Sequence, residues 1–317
     1  MDKGPAQKIA SAEAGVVDVR SGAGGQRVKG ALVVGGRAGL SQRFSWLPPP
    51  GPNSLPLVVL VSKAEEKSEI AETLSRWNIE VVVSNDDATF WRDAQSLHLI
   101  LGQGEEDTTR LLFAPSPILD RAMSLWEKEA AERWSSGQAT LLDLGCGAGR
   151  DMAWAARRST YSQVRWLVTG VDNLEATIRR VRLLASDLRL DQPHSSRIES
   201  IVWGQTTAEG SVDVFQGTLP HKTWDIILIV RFLPRSLLRR LNEWTHDGSL
   251  LALSHFVHGA GCEYDSPPIP ARLQPGEIEE LIDKYLSSAQ WSIISDQIDH
   301  TEDGRPLRSV IARRKAR

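Results

Sequence analysis

Read as a pattern of apolar and polar positions, the chain alternates short apolar runs with longer stretches of helical spacing. Residues 57–61, Leu-Val-Val-Leu-Val, are apolar throughout, as in a strand covered on both faces. Residues 64–77 follow with Ile70, Leu74 and Trp77 on one helical face, and residues 80–83 read as another strand. Upstream, residues 16–20 and 32–34 are strand-like, the glycines at 22–25 make a turn, and the prolines at 48–52 exclude a helix. Residues 10–97 therefore read as a small α/β domain.

Residues 98–116 mix Gly, Gln, acids and Thr and read as a linker. Ser116 or a neighbour then caps a helix over 117–133, with Leu119, Met123, Trp126 and Ala130 on one face. From Leu141 onward strands and helices alternate, at 140–144, 151–158, 166–171, 174–189, 198–203, 224–230, 234–244, 249–256 and 275–287. That order predicts a parallel, Rossmann-like α/β sheet with helices on both faces, over a second domain at 117–317. The tail breaks the alternation: residues 291–294 and 307–312 are strand-like around the turn Glu302-Asp303-Gly304-Arg305, which predicts a closing hairpin.

Composition narrows the classes. At 317 residues two domains are the natural expectation. A net charge of −3 gives no support to a dominant nucleic-acid surface. Two cysteines, Cys146 and Cys262, cannot build a disulfide framework or a cysteine metal site, so no metal is expected. No apolar run approaches the roughly 18 residues of a membrane span, and the start Met-Asp-Lys-Gly-Pro lacks a signal-peptide core. A cytoplasmic protein is the default expectation. Eleven tryptophans suggest no function of their own.

The candidate chemistry begins at Leu141-Leu-Asp-Leu-Gly-Cys-Gly-Ala-Gly-Arg-Asp151, where a buried strand ends in an acid and three alternating glycines lead into a helix. Glycines are needed where a backbone takes positive φ or lies against a ligand. At the carboxyl end of a strand in an open α/β sheet, such a turn is where a nucleotide-like ligand docks. The next strand ends in Asp172, about 20 residues on, where a carboxylate can accept both hydroxyls of a ribose. Asp172 would serve equally as a cap for the helix after it. The spacing is G-x-G-x-G, not the G-x-G-x-x-G of dinucleotide binders.

Strand, glycine turn, helix, strand and acid together resemble the first motifs of class I S-adenosylmethionine (SAM) methyltransferases. The resemblance implies a seven-stranded sheet with the last strand antiparallel, and SAM as cofactor. It assigns cofactor binding to Asp143, Gly145, Cys146, Gly147, Gly149, Asp172 and Asn173. The adenine contact is ambiguous between Gln205 and Asp213, and Asp151 reads as a helix-dipole acid. Residues 224–233 resemble the fourth motif, with Asp225 structural and Arg231 at the ligand end as a cation for an anionic acceptor. The Asn/Asp-Pro-Pro-Tyr of amine-methylating relatives is missing. Residues 273–313 look like the end of tellurite-resistance-type methyltransferases, which act on soft small-molecule nucleophiles such as chalcogen oxyanions and thiols. That likeness implies acceptor-pocket roles for His300, Arg305 and Arg308; Arg231, His300 and Arg308 are the catalytic candidates, with His255 and His258 as rivals.

The N-terminal order Asp18-Val-Arg20, Lys29-Gly-Ala31, Trp46-Leu-Pro48, strand, helix, strand resembles a rhodanese-like domain. A rhodanese carries its persulfide on a cysteine after the central strand; here that loop begins Ser62-Lys-Ala-Glu65, and no cysteine precedes Cys146. Sulfur transfer needs a thiolate, so the domain is expected to be inactive. The function expected is methyl transfer to a small-molecule acceptor. The rivals are an RNA or protein methyltransferase recruited by the first domain, a nicotinamide-dependent oxidoreductase, and a non-catalytic SAM-binding scaffold.

Overall fold

The computed structural model describes residues 3–21, 26–51, 53–102, 105, 109–133, 137–158, 164–191, 197–207, 212–233, 235–259, 262–287 and 289–316. The glycine turn expected at 22–25 lies outside these. The chain divides into two compact units, Met1–Ala114 and Pro115–Arg317.

The first unit runs α1 (Pro5–Ala10), β1 (Gly15–Asp18), β2 (Leu32–Val33), α2 (Gly36–Gln42), β3 (Leu57–Val61), α3 (Glu66–Thr73), β4 (Ile79–Ser84) and α4 (Ala88–Ser96). Its sheet has the order β2-β1-β3-β4 with every pairing parallel. β3 is buried along its whole length, which explains its unbroken apolar run. At the end of β1 the carboxylate of Asp18 pairs with Arg20 at 2.6 Å, both side chains about 5% exposed or less. Arg20 also donates to Asn85 Oδ1 and the Gln26 carbonyl, and lies over the Trp91 ring.

Part of the expected linker at 98–116 is instead built into this unit. Lys29 N donates to the Leu99 carbonyl, Leu101 N to that of Arg27, and Arg110 N to that of Gly30. Leu112 is buried, with its Cδ2 close over Gly15. The physical reason is that Leu99, Ile100, Leu101 and Leu112 are apolar surface that a free linker would leave in water. α4 carries an apolar face through Phe90 and Ala94 and was not apparent in the sequence reading.

The second unit runs α5 (Pro117–Arg133), β5 (Gln138–Leu144), α6 (Arg150–Arg158), β6 (Arg165–Asp172), α7 (Glu175–Asp187), β7 (Ile198–Thr206), β8 (Val212–Gln216), β9 (Trp224–Val230), β10 (Thr245–Phe256), α8 (Glu277–Leu281), β11 (Trp291–His300) and β12 (Pro306–Arg314). The sheet order is β11-β12-β10-β9-β5-β6-β7-β8. Pairings from β7 through β10 are parallel, and β12 is antiparallel to both β10 and β11. The antiparallel last strand is as expected. The seven-strand expectation is corrected: among the described residues there are eight, because β8 folds back antiparallel on β7. Residues 234–244, expected as an α-helix, form a 3-10 segment at Arg235–Glu243, and α8 continues as a π-helical turn at Ile282–Leu286.

The sheet order reverses at β5, which has β6 on one side and β9 on the other. Above that switch point the strand ends diverge and leave a crevice. At the opposite ends Asp225 ties three strands together, accepting from Thr140 N and Oγ1 and meeting His246 Nε2 at 3.0 Å. Its structural role is as expected. Trp166, Trp224 and Trp291 are fully buried, and the indole N–H groups of Trp166 and Trp291 donate to Glu127 and Asn242. These tryptophans are core, and Trp166 and Trp291 have their polar edges satisfied. No helix among the described residues is long and apolar enough to cross a membrane.

Replacing Asp18 by Ala leaves the Arg20 guanidinium buried without its carboxylate. The expected cost is about 3–5 kcal/mol. Urea denaturation of the full chain should show an early transition in Asp18→Ala, smaller in Asp18→Asn; an unchanged curve would mean the pair does not hold the end of β1.

Candidate functional site

The crevice at the switch point holds a cavity of about 600 Å³, within the range of small-molecule sites. It is lined by the ends of β5 (Asp143, Leu144), β6 (Val171, Asp172), β7 (Gly204, Gln205) and β9 (Val230), with the loops that follow them. The glycine loop hangs on one carbonyl: Gly145 N and Cys146 N both donate to Val171 O, at 2.8 and 3.0 Å. Gly145, Gly147 and Gly149 all take positive φ, at 74°, 54° and 79°. A Cβ on Gly145 would lie 2.9 Å from Phe232, whereas one on Gly147 would meet almost nothing. Gly147 therefore presents bare backbone to the cavity.

Asp172 joins this loop to the next. Its Oδ2 accepts from Gly147 N at 3.0 Å and its Oδ1 from Leu174 N at 2.9 Å. α7 starts at Glu175 with no side-chain cap, so the bond to Leu174 is a turn contact and not the helix cap considered from sequence. Each carboxylate oxygen keeps a further lone pair for a ligand.

Asp143 is 3% exposed, lines the cavity and has no hydrogen-bond partner for its carboxylate among the described residues. Burial pushes its pKa well above the ordinary range, and the charges of Asp151 and Asp172 push it the same way. Asp151 is also raised, chiefly by burial, although it accepts a 2.7 Å bond from Ser116 N. The buried Cys146 thiol is pushed up by desolvation and by Asp143 and Asp172, so it stays protonated and inert as a nucleophile. The cavity also holds two cations. Arg150 and Arg231 both line it, and burial lowers the proton affinity of Arg150, as does Arg231.

Of the residues expected to bind the cofactor, Asp143, Gly145, Cys146, Gly147, Asp172, Asn173 and Gln205 all line this cavity. Gly149 does not. A Cβ there would lie 2.9 Å from Val181, so this glycine serves the close approach of α7. The competitor Asp213 is on β8, pairs with Gln205 through the backbone and does not line the cavity. Arg231 lines it as expected, but His300 and Arg308 do not. His300 is exposed at the end of β11, and Arg308 is bound by Glu279 and Asp296. Two carboxylates on the flank of the hairpin outcompete a pocket role for Arg308. Arg305 is held by Asp303 and the Ser266 carbonyl and stacks on Phe256. His255 is buried with Nε2 on the Ala271 carbonyl, and neither it nor His258 lines the cavity. The sequence reading missed Arg150, Leu174 and Ser236 as lining residues, whereas Phe232, expected beside Arg231 at the ligand end, lines the cavity. The G-x-G-x-G-Arg order could have flagged Arg150, which opens α6 directly after the glycine loop.

Among the described residues no group of three or more His, Cys, Asp or Glu is placed to hold a metal. No family model matches the chain. It is 28% identical over 225 residues to an uncharacterized protein of Schizosaccharomyces pombe, covering 64% of each chain. It is 30% identical over 124 residues to a carboxy-S-adenosyl-L-methionine synthase of Aliivibrio salmonicida, covering 39% of this chain and 47% of that one. Among solved structures, TehB from Haemophilus influenzae superposes with a TM-score of 0.41 at 16% identity, covering 60% of this chain and 61% of its own. The chain thus spans less than two thirds of the length of each of these proteins.

The electrostatics of Asp143 set a pH dependence. The folded chain keeps this proton at pH values where the unfolded chain has released it. The folded state then binds more protons, so stability falls as pH rises from the ordinary 3.8 through the raised value. Asp143→Asn removes the penalty. At neutral pH it is expected to stabilise the ligand-free protein by on the order of 1 kcal/mol, or roughly 2–4 °C in melting temperature. A lower melting temperature at every pH would show that the carboxylate supports the fold instead of straining it.

Proposed function

We propose that this chain is a SAM-dependent methyltransferase of the class I type, acting on a small-molecule acceptor. The carrying observation is the bare backbone of Gly147 beside Asp172, with the unpartnered Asp143 carboxylate buried in the same cavity. The likeness to a carboxy-S-adenosyl-L-methionine synthase over 124 residues supports the choice of cofactor.

The residues fit that group. SAM carries a sulfonium and an ammonium, and a cavity wall with three carboxylates, at Asp143, Asp151 and Asp172, favours positive charge. The pyrophosphate of a nicotinamide dinucleotide would bring negative charge to the same wall, which argues against the oxidoreductase reading. Asp172 would hold the ribose hydroxyls, and Gly145 and Gly147 would lie against the amino-acid portion. Asp143 would face its positive charge, and Asn173 and Gln205 would meet the adenine. When bound, the group supplies a methyl on a leaving group already activated by positive charge. The chain's own task is then to orient the acceptor and exclude water. Arg231 holds an anionic acceptor at the cavity, and Phe232 and Leu174 supply apolar cover beside it. A soft anionic acceptor needs no strong base, consistent with a site lined by no histidine among the described residues.

The first unit is read as a rhodanese-like domain without sulfurtransferase activity. Its all-parallel sheet with β3 inside supports the resemblance, and the loop after β3 offers no thiol. In that loop Ser62 N donates to the Glu66 carboxylate instead.

Thermal shift should show stabilisation by SAM and S-adenosylhomocysteine and none by NAD, because only a ligand of the folded state raises the melting temperature. Asp172→Ala should weaken SAM binding by about 1–3 kcal/mol in calorimetry. Stabilisation by NAD alone would overturn the cofactor assignment. The full chain should also produce no thiocyanate from thiosulfate and cyanide; turnover above a heat-killed control would reverse the reading of the first unit.

A further inference from the structure

Resting on that reading of the cavity, we infer that Arg150 and Arg231 form a receiving site for a ligand carboxylate or similar oxyanion, and that Glu302 of the closing hairpin is a resident placeholder which the ligand displaces. Three independent features converge on it.

The first is the backbone of Arg231. It sits at φ 55°, a left-handed conformation that favours glycine and asparagine, with its N–H fixed to the Ser254 carbonyl at 2.8 Å. An arginine there is strained. Strain of this kind is explained when the side chain is needed at that point, and Arg231 lines the cavity.

The second is charge. Arg231 lies near enough to disfavour the positive charge of the partly desolvated Arg150. Like charges held together in a cavity call for an anion between or beside them. Asp151 answers part of that charge at both arginines, but it makes no hydrogen bond to Arg231, whose guanidinium makes none among the described residues.

The third is the manner in which Glu302 answers that charge. Its Oε2 stands 3.8 Å from Arg231 Nη1, beyond hydrogen-bond reach, and both side chains are about half exposed. It also favours the charged form of Arg150. Other arginines of this unit are held differently. Arg308 is gripped by two carboxylates, and Arg235 by Glu277 together with a backbone carbonyl. A loose, solvent-screened pair is easily exchanged. A bidentate oxyanion entering the cavity gains the hydrogen bonds that Glu302 leaves unmade.

The carboxylate has two chemical sources: the amino-acid end of the cofactor, or the acceptor. Calorimetry on the full chain separates them. In one arm, S-adenosylhomocysteine is compared with 5′-methylthioadenosine, which lacks the carboxylate. In the other, 3-mercaptopropionate is compared with neutral 3-mercapto-1-propanol, with and without saturating S-adenosylhomocysteine. The variants are Arg231→Gly and Glu302→Gln. Arg231→Gly suits the backbone at φ 55°, so it should melt no lower than the parent, and a binding loss is then not a folding loss.

The expected result is an anion preference of about tenfold or more in one arm, abolished by Arg231→Gly and strengthened several-fold by Glu302→Gln. The arm in which this happens names the source. Equal binding of charged and neutral probes in both arms, or variants that move no affinity by more than about twofold, overturns the inference. Failure of S-adenosylhomocysteine to bind the parent would instead defeat the cofactor reading. The anion arm without it then decides the arginine site by itself.

Discussion

The site depends on one carboxylate. Asp172 accepts the amide of Gly147 from one loop and that of Leu174 from the next, and so clamps together the segments that follow β5 and β6. The glycine loop can reach it only because three positive-φ glycines turn the chain sharply above β5. The same turn hangs from the carbonyl of Val171, the residue before Asp172. Parallel strands end at a common level, and the reversal of strand order at β5 keeps the following loops from closing over one another. The cavity is the volume left between them.

The cavity gathers charge of both signs. Asp143, Asp151 and Asp172 line it together with Arg150 and Arg231. Burial and the neighbouring acids both oppose ionisation of Asp143. Arg231 combines a left-handed backbone with a loose contact to Glu302.

The first unit is built on a different polar anchor. The Asp18–Arg20 pair is buried at the end of β1 and is fully engaged, with Asn85, the Gln26 carbonyl and the Trp91 ring completing its surroundings. Where Asp143 lacks partners, Asp18 has them. A satisfied buried pair of this kind holds a loop in place.

What could be read from the sequence was whatever is determined within a short stretch of chain. The apolar runs of β3 and β9, the G-x-G-x-G turn and Asp172 at the next strand end are local patterns, because strand period, glycine φ and strand-end chemistry act over a few residues. Those patterns placed seven of the eight expected cofactor residues around one cavity. What the sequence could not decide was competition between distant groups. Arg308 looked available until the fold brought Glu279 and Asp296 to it, and Glu302 of the same hairpin reached Arg231 instead. Gly149 read as part of a ligand cradle, yet it is spaced for Val181 on α7. β8 has too few residues to declare itself and exists as an edge paired to β7. Residues 98–116 read as a linker because their polar tract is local, while Leu99 and Leu112 find their apolar partners only in the folded unit. Local patterns set the backbone's course and so the glycine loop and Asp172 at the cavity. Which charged side chain meets which is a long-range contest of distance and burial, and tertiary structure alone decided it.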